Sequence, residues 1–407
     1  MHISKRHGRA TAALALGVVL ALLLAACGGS AKKKLAAQQL PTTTSSVSDS
    51  STSSVPVIAG STTTAPPAPA APKSVHVPKA ITGPPPTAKP GAAPVTVRLG
   101  YFPNLTHASA IIGVQTGIFN VALGQNHLQT TLFNAGPDEV TALFAGSLDM
   151  AYMGPNPTIN AFAQSHGQAI RAISGATSGG ASLVVQQNIN SAQDLKGKKV
   201  ASPQLGNTQD VALRYWLKQN GLSTDTQGGG DVSVTPQDNS TTLQTFKSKQ
   251  IAGAWVPEPY ATRLVQEDGG KVLVDERSLW DNGQFVTTNI VVRSAFLNDH
   301  PDVVRDVLVG QYKANQFLQQ YPSDSQTIVN NFIGQATGKP LAPGAVATAW
   351  THMAFTNDPI ARSLAIDAQH AQAVGLLDPS VNLDGIYDLR LINDVLAQFG
   401  QPPVAAG

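Results

Sequence analysis

Cysteine is almost missing from this 407-residue chain. Cys27 stands alone, so no intramolecular disulfide can staple the fold, which must rest on its own core. A GxxxxGK(S/T) phosphate loop is also missing despite 36 glycines, which argues against nucleotide hydrolysis by this chain. There is no GxSxG nucleophile elbow; Ser178-Gly179-Gly180-Ala181-Ser182 does not match one. Neither HExxH nor a Cys–His metal spacing occurs, and His166, His300, His352 and His370 are scattered. The sequence therefore predicts no enzyme, no metal and no cofactor.

A basic excess is missing where it would matter. Nine of the 27 Lys and Arg precede Val95, but only one of the 25 acidic residues does, Asp49. The remainder holds 18 basic and 24 acidic residues, a formal charge of −6. A nucleic-acid footprint is basic, so that partner class is set aside.

Long apolar runs are missing except at the amino terminus. Met1–Arg9 is basic, Ala10–Ala26 is apolar, and Leu24-Ala25-Ala26-Cys27 closes the run. At about 17 residues the run is short for a spanning helix, which wants about 20, and the pattern is that of a secretory leader. From Gly28 to Pro94 the chain is Ala, Ser, Thr and Pro, with pieces such as TTTSSVSDSSTSS and APPAPAAPK. Such composition cannot repay the entropy of ordering and predicts a disordered stalk over 28–94. Lys32-Lys33-Lys34 is either a solvated tract or a contact for anionic head groups.

Beyond Val95 the pattern is βα alternation. Its organising stretch is Lys198–Lys218, KKVASPQLGNTQDVALRYWLK. It reads as strand Lys199–Ala201, a polar turn, and a helix from about Gln209 with Thr208 as N-cap. A helix opening from a strand's carboxyl end aims unpaired N–H groups into a crevice, an anion site that needs no cation. The same grammar recurs at Phe102–His107, Gly154–Thr158 and Trp255–Pro259. Helices are predicted over Ala108–Phe119, Pro301–Tyr321 and Pro343–Met353, among others, and strands over Ile170–Ser174 and Ser182–Gln186.

Long stretches in order carry a resemblance: GYFPNLTHA (100–108), FNAGPDEVTALFAGSLDMAYMGPNPTIN (133–160), ATSGGASLVV (176–185), DLKGKKVASPQLGNTQDVALRYWL (194–217) and GAWVPEPYATRLV (253–265). The chain resembles the substrate-binding proteins of ABC importers, in the nitrate, taurine and aliphatic-sulfonate branch. The resemblance implies an α/β type II periplasmic-binding-protein fold, two βα lobes joined by two crossovers with a ligand cleft between. Residues 95–186 would begin the first lobe, 187–284 form the second, and 285–407 complete the first. LAAC likewise resembles a lipobox, which implies a leader over 1–27, Cys27 as the lipid attachment point, and a place outside the cytoplasmic membrane. The implied role is capture of a small oxyanion and delivery to a permease with its ATPase, with a monomer as the expected state. An aromatic or vitamin-precursor ligand, or delivery to a membrane sensor, stand as alternatives.

The turns after strands supply the candidate contacts. Asn104, Thr106 and His107 offer hydrogen-bond donors, His107 in either protonation state, although a histidine there also suits helix packing. Asn156 suits either a cap or the cleft, and Ser178, Gly179 and Gly180 either close backbone approach or a plain turn. Asn207, Thr208 and Gln209 form the opening site. Family resemblance adds Trp255 and Glu258, the one to cover an apolar portion, the other to meet an ammonium group or sit in a helix's first turn. Phe102 and Phe285 would join Trp255 against a ring.

Overall fold

The computed structural model describes residues 75–87 and 93–406. The leader, Cys27 and the stalk as far as residue 74 lie outside the described residues.

Strand β1 (Thr96–Tyr101) starts the first sheet. Its alternation buries Val97 and Leu99, and it pairs in parallel with β2 (His127–Leu132) and β3 (Met150–Met153). Between them run α1 (Ala108–Gln115), α2 (Ile118–Leu123) and α3 (Gly136–Phe144). The single helix expected over 108–119 is two, because Gly117 takes a left-handed conformation at the joint. Helix α4 (Pro155–Gln164) follows β3, and β4 (Ile170–Gly179) follows α4. β4 is ten residues long, twice the expected Ile170–Ser174, because polar Thr177 and Ser178 continue its ladder.

The second sheet takes β5 (Ala181–Val185), β6 (Lys199–Ser202), β7 (Ser233–Pro236), β8 (Gly253–Pro257) and β9 (Lys271–Asp275). Helices α5 (Thr208–Gln219), α6 (Asn239–Lys247) and α7 (Tyr260–Gln266) connect them. The chain then returns as β10 (Val286–Arg293), followed by α8 (Ser294–Asp299), α9 (Pro301–Gln320), α10 (Pro322–Thr337), α11 (Pro343–Trp350), β11 (Met353–Phe355), α12 (Ala361–Ala373) and α13 (Arg390–Gln398). Strand β11 replaces the end of a helix expected over 343–353; it pairs with β4 at the sheet edge.

The strand orders are β2-β1-β3-β10-β4-β11 and β7-β6-β8-β5-β9. Each sheet has a parallel triplet followed by one antiparallel strand, and that strand is the first to arrive from the other sheet. The sheets are thus mixed, and both crossings belong to the same design. The first crossing falls at Gly180 rather than after residue 186, so β5 belongs to the second lobe. Gly180 has φ +80°, a conformation costly for other residues. Its N–H donates to the His352 carbonyl at 2.9 Å, and its carbonyl accepts from Glu258 N–H at 2.8 Å.

Helix α9 buries Val303, Val304, Val307, Leu308 and Tyr312 as its periodicity requires, with Pro301 in the first turn. Two acid–base contacts fasten the first lobe: Asp149 takes Arg98 at 2.6 Å and Arg293 at 2.9 Å, joining β1, β10 and the start of β3 at one end.

Residues 75–87, read from composition as stalk, instead lie along the C-terminal segment. Pro78 is buried, and Val77 and Ala80 pack on the first lobe's core. Ile81 N–H donates to Tyr387 O and Gly385 N–H to Lys79 O, both at 2.8 Å. Arg390 Nη1 donates to Pro84 O at 2.9 Å, and Asp384 accepts from Lys79 N–H at 2.9 Å. Composition missed this because three or four small apolar groups suffice once a groove exists to receive them. A chain beginning at residue 93 is expected to melt several degrees below one beginning at residue 75, a loss of about 1–3 kcal/mol. Equal melting temperatures by calorimetry would mean that the segment contributes nothing.

Candidate functional site

The site forms where the two parallel triplets turn their carboxyl ends toward each other. Its second-lobe wall is the β6–α5 turn. Asp210, in the first turn of α5, accepts from Ser202 Oγ at 2.7 Å and from Gly206 N–H at 3.0 Å. Arg214, one helical turn on, holds the same carboxylate through Nε at 3.0 Å, with both side chains buried. This pair draws the turn closed and sets the direction of α5. The cap is Asn207, not Thr208: Asn207 Oδ1 accepts from Thr208 N–H at 2.7 Å. Thr208 becomes the first helical residue. Its hydroxyl is buried and has no hydrogen-bond partner.

The first-lobe wall comes from the β1–α1 turn and from α4. His107 Nδ1 accepts from Phe102 N–H at 3.2 Å, which leaves the proton on Nε2. Burial pushes the His107 pKa down to about 3, so the ring is a neutral donor and not one in either protonation state. Gly154 precedes α4 and faces Thr208 across the lobes. A Cβ at Gly154 would lie 2.4 Å from Thr208 Oγ1, so only glycine permits this approach.

The space enclosed is small, about 20 Å³, room for about one water. Asn104, Thr106, His107, Asn207, Thr208 and Gln209 all line it, six of the twelve expected contacts. Asn134, Asn239 and Thr287 line it too and were not anticipated. Asn134 and Asn239 obey the same rule, a polar residue in the turn after a strand (β2 and β7), and a stricter search for that pattern finds them. Thr287 sits within a strand and offers no such signal. No Lys, Arg, Asp or Glu lines this inner cavity, so its polarity is that of neutral dipoles.

The other six expected contacts lie elsewhere. Asn156 turns to α12, donating through Nδ2 to Asp367 O at 3.3 Å. Ser178, Gly179 and Gly180 form the end of β4 and the crossing itself; Gly179 N–H donates to Phe285 O at 3.1 Å, and Thr287 Oγ1 donates to Gly179 O. Trp255 is a core residue of the second lobe, edge-on to Trp216 with Nε1 donating to Glu276 Oε2 at 2.7 Å. Glu258 caps α7, accepting from Thr262 N–H at 3.0 Å and Thr262 Oγ1 at 2.9 Å, and it pairs with His352 Nδ1 at 2.6 Å. Its hydrogen bond to that carboxylate raises the His352 pKa. The carboxylate is thus engaged three times at the lobe junction. Phe285 is buried and stacked on Trp280, which leaves Phe102 the one expected aromatic at the cavity. Among the described residues, no group of three or more His, Cys, Asp or Glu side chains could hold a metal ion.

Two lobes of matching strand order, joined at two crossings and meeting at a polar cavity, define the type II periplasmic-binding-protein architecture. Residues 91–331 match the model of the NMT1-like family, and the chain belongs to that family. A binding protein of Brucella abortus (strain 2308) is 28% identical over 243 residues, 59% of this chain and 72% of that one. The taurine-binding periplasmic protein of Escherichia coli is 27% identical over 176 residues, 42% of this chain and 52% of its own. Among solved structures, the alkanesulfonate-binding protein SsuA of Xanthomonas axonopodis pv. citri, bound to MOPS, superposes with a TM-score of 0.61. It is 20% identical and covers 74% of this chain and 100% of its own.

Two outcomes follow from this geometry. Replacing Trp255 with Phe strips a donor from buried Glu276, whose pKa burial already raises to about 7. Denaturant titration should show about 1–3 kcal/mol of lost stability, while ligand affinity of the folded protein stays within about twofold, as for a residue outside the cavity. For His107, an unfolded imidazole takes up a proton near its ordinary 6.5 and the folded one only near 3. Its contribution to stability is therefore complete above 6.5 and is lost as the pH falls toward 3. Affinity should show no His107-dependent step between pH 5 and 8; a step near 6.5 that His107→Gln abolishes would show that the ring charges in the site.

Proposed function

We propose that this chain is an extracytoplasmic solute-binding protein of an ABC importer, tethered through Cys27, which captures a small oxyanion and passes it to the permease. A sulfonate such as taurine or an alkanesulfonate is the favoured ligand, with nitrate the smaller alternative. The observation that carries this reading is the Thr208 hydroxyl, buried and unpartnered at the start of α5, beside the start of α4. A buried hydroxyl without a partner costs free energy, and an anion's oxygen would satisfy it. Two helix N-termini and the neutral donors of Asn104, His107, Asn207 and Gln209 suit an oxyanion whose water they replace. The kinship with taurine- and alkanesulfonate-binding proteins supports the same chemistry. Binding without turnover is the expected behaviour, and monomer is the expected state.

The cavity has room for about one water, so entry of such a solute requires the lobes to part and close again. Gly180 at one crossing and the segment before β10 at the other are where the chain would flex.

Isothermal titration of the full-length protein with taurine, ethanesulfonate and nitrate tests the reading. One-to-one saturation by at least one, with no product, is expected; failure of all three to bind overturns it. Thr208→Val removes the hydroxyl and keeps the shape. It should weaken binding about tenfold while leaving unliganded stability equal or slightly higher, because an orphan polar group is gone. Parallel losses of affinity and stability would make Thr208 a structural residue.

A further inference from the structure

Beside the inner cavity lies a larger one of about 460 Å³, and Asn104, Asn134 and Asn239 line both. Its walls come from both lobes: Phe133 and Thr337 from the first, Leu243 and Tyr260 from the second. Its size falls in the range that takes a small organic molecule, whereas the inner cavity has room for about one water and would take a head group only once the lobes part.

Arg263 of α7 is part of its wall and is 7% exposed. A buried guanidinium is normally saturated with hydrogen bonds. Here the guanidinium has only a long ion pair with Glu267, Nε at 3.4 Å from Oε1 with no hydrogen bond made and Nη2 reaching Oε2 at 3.5 Å. Glu267 is drawn the other way: Lys339, from the opposite lobe, holds the same oxygen at 2.5 Å. Arg263 is therefore loosely paired for a buried guanidinium, on the wall of a cavity that shares three asparagines with the head-group site. Asp238, Asp268 and Lys247 share the wall, so the cavity is not broadly cationic, and an added anion is favoured only when seated on the guanidinium.

We propose that the outer cavity receives the remainder of the solute, and that Arg263 recognises a carboxylate there. This rests on the head-group reading above. The ligand class becomes an organic oxyanion with a second anionic end, a carboxylate-bearing short-chain sulfonate, rather than nitrate or a plain alkanesulfonate. A planar carboxylate matches the fork of a guanidinium and would offer it closer acceptors than Glu267 does.

Titrations of the full-length protein with propane-1-sulfonate, 3-sulfopropanoate and taurine separate the possibilities. The wild type should bind 3-sulfopropanoate about tenfold or more tightly than propane-1-sulfonate. Arg263→Gln should erase that preference with little change for propane-1-sulfonate, and Arg263→Lys, which keeps the charge without the fork, should retain part of it. Equal wild-type affinities for the first two, a preference for taurine over 3-sulfopropanoate, or a preference untouched in both variants overturns the proposal while leaving the head-group site standing. If no sulfonate binds at all, the head-group reading falls and this one falls with it.

Discussion

The amino-terminal ends of α4 and α5 come into contact across the two lobes. α4 and α5 begin so close together that only the absence of a side chain at Gly154 lets the Thr208 hydroxyl in. Each end carries a partial positive charge, and like charges at short range in a poorly solvated place repel. This close approach therefore works against the electrostatics of its own contact. In the proposed role, an anion between the two ends would reverse the sign and couple closure to occupancy without a charged side chain in the inner cavity.

The rest of the structure holds those ends in place. Asp210 and Arg214 pull the β6–α5 turn tight from behind, and Asp149 with Arg98 and Arg293 fastens the first lobe at its far end. At the junction Gly180, Glu258 and His352 are linked in sequence by short hydrogen bonds. On the flanks the late helices reach over the second lobe: the Tyr215 and His370 rings stack at 3.7 Å, and Lys339 meets Glu267. The flanking contacts are polar or aromatic and partly exposed, the kind that separate at modest cost. The junction combines two backbone hydrogen bonds of Gly180 with the Glu258–His352 side-chain pair.

Local rules in the chain made about half of the site legible. Turn residues after strands with a helix behind them were recognisable from spacing, and Asn104, Thr106, His107, Asn207, Thr208 and Gln209 all reach the cavity. Trp255 and Glu258 satisfy the same spacing and do not. The difference is which face of β8 a side chain leaves from and what else competes for it. Trp255 is claimed by Trp216 and Glu276, and Glu258 by Thr262 and His352. Those partners are 4 to 94 residues away in sequence, and no local pattern ranks them. The docking of residues 75–87 was hidden for the same reason, since its partners Tyr387, Asp384 and Arg390 lie some 300 residues downstream.

By itself the sequence determined the βα order, the two-lobed class and the absence of an intramolecular disulfide. Each is a short-range property: hydrophobic period, turn chemistry, or the presence of a residue type. Only the tertiary structure decided that Asn207 rather than Thr208 caps α5, that the lobes exchange strands at Gly180, and that Thr208 Oγ1 and Arg263 Nε make no hydrogen bond. Whether a buried polar atom is satisfied depends on every neighbour that folding brings within 3.5 Å, and those neighbours are chosen by packing across the whole chain.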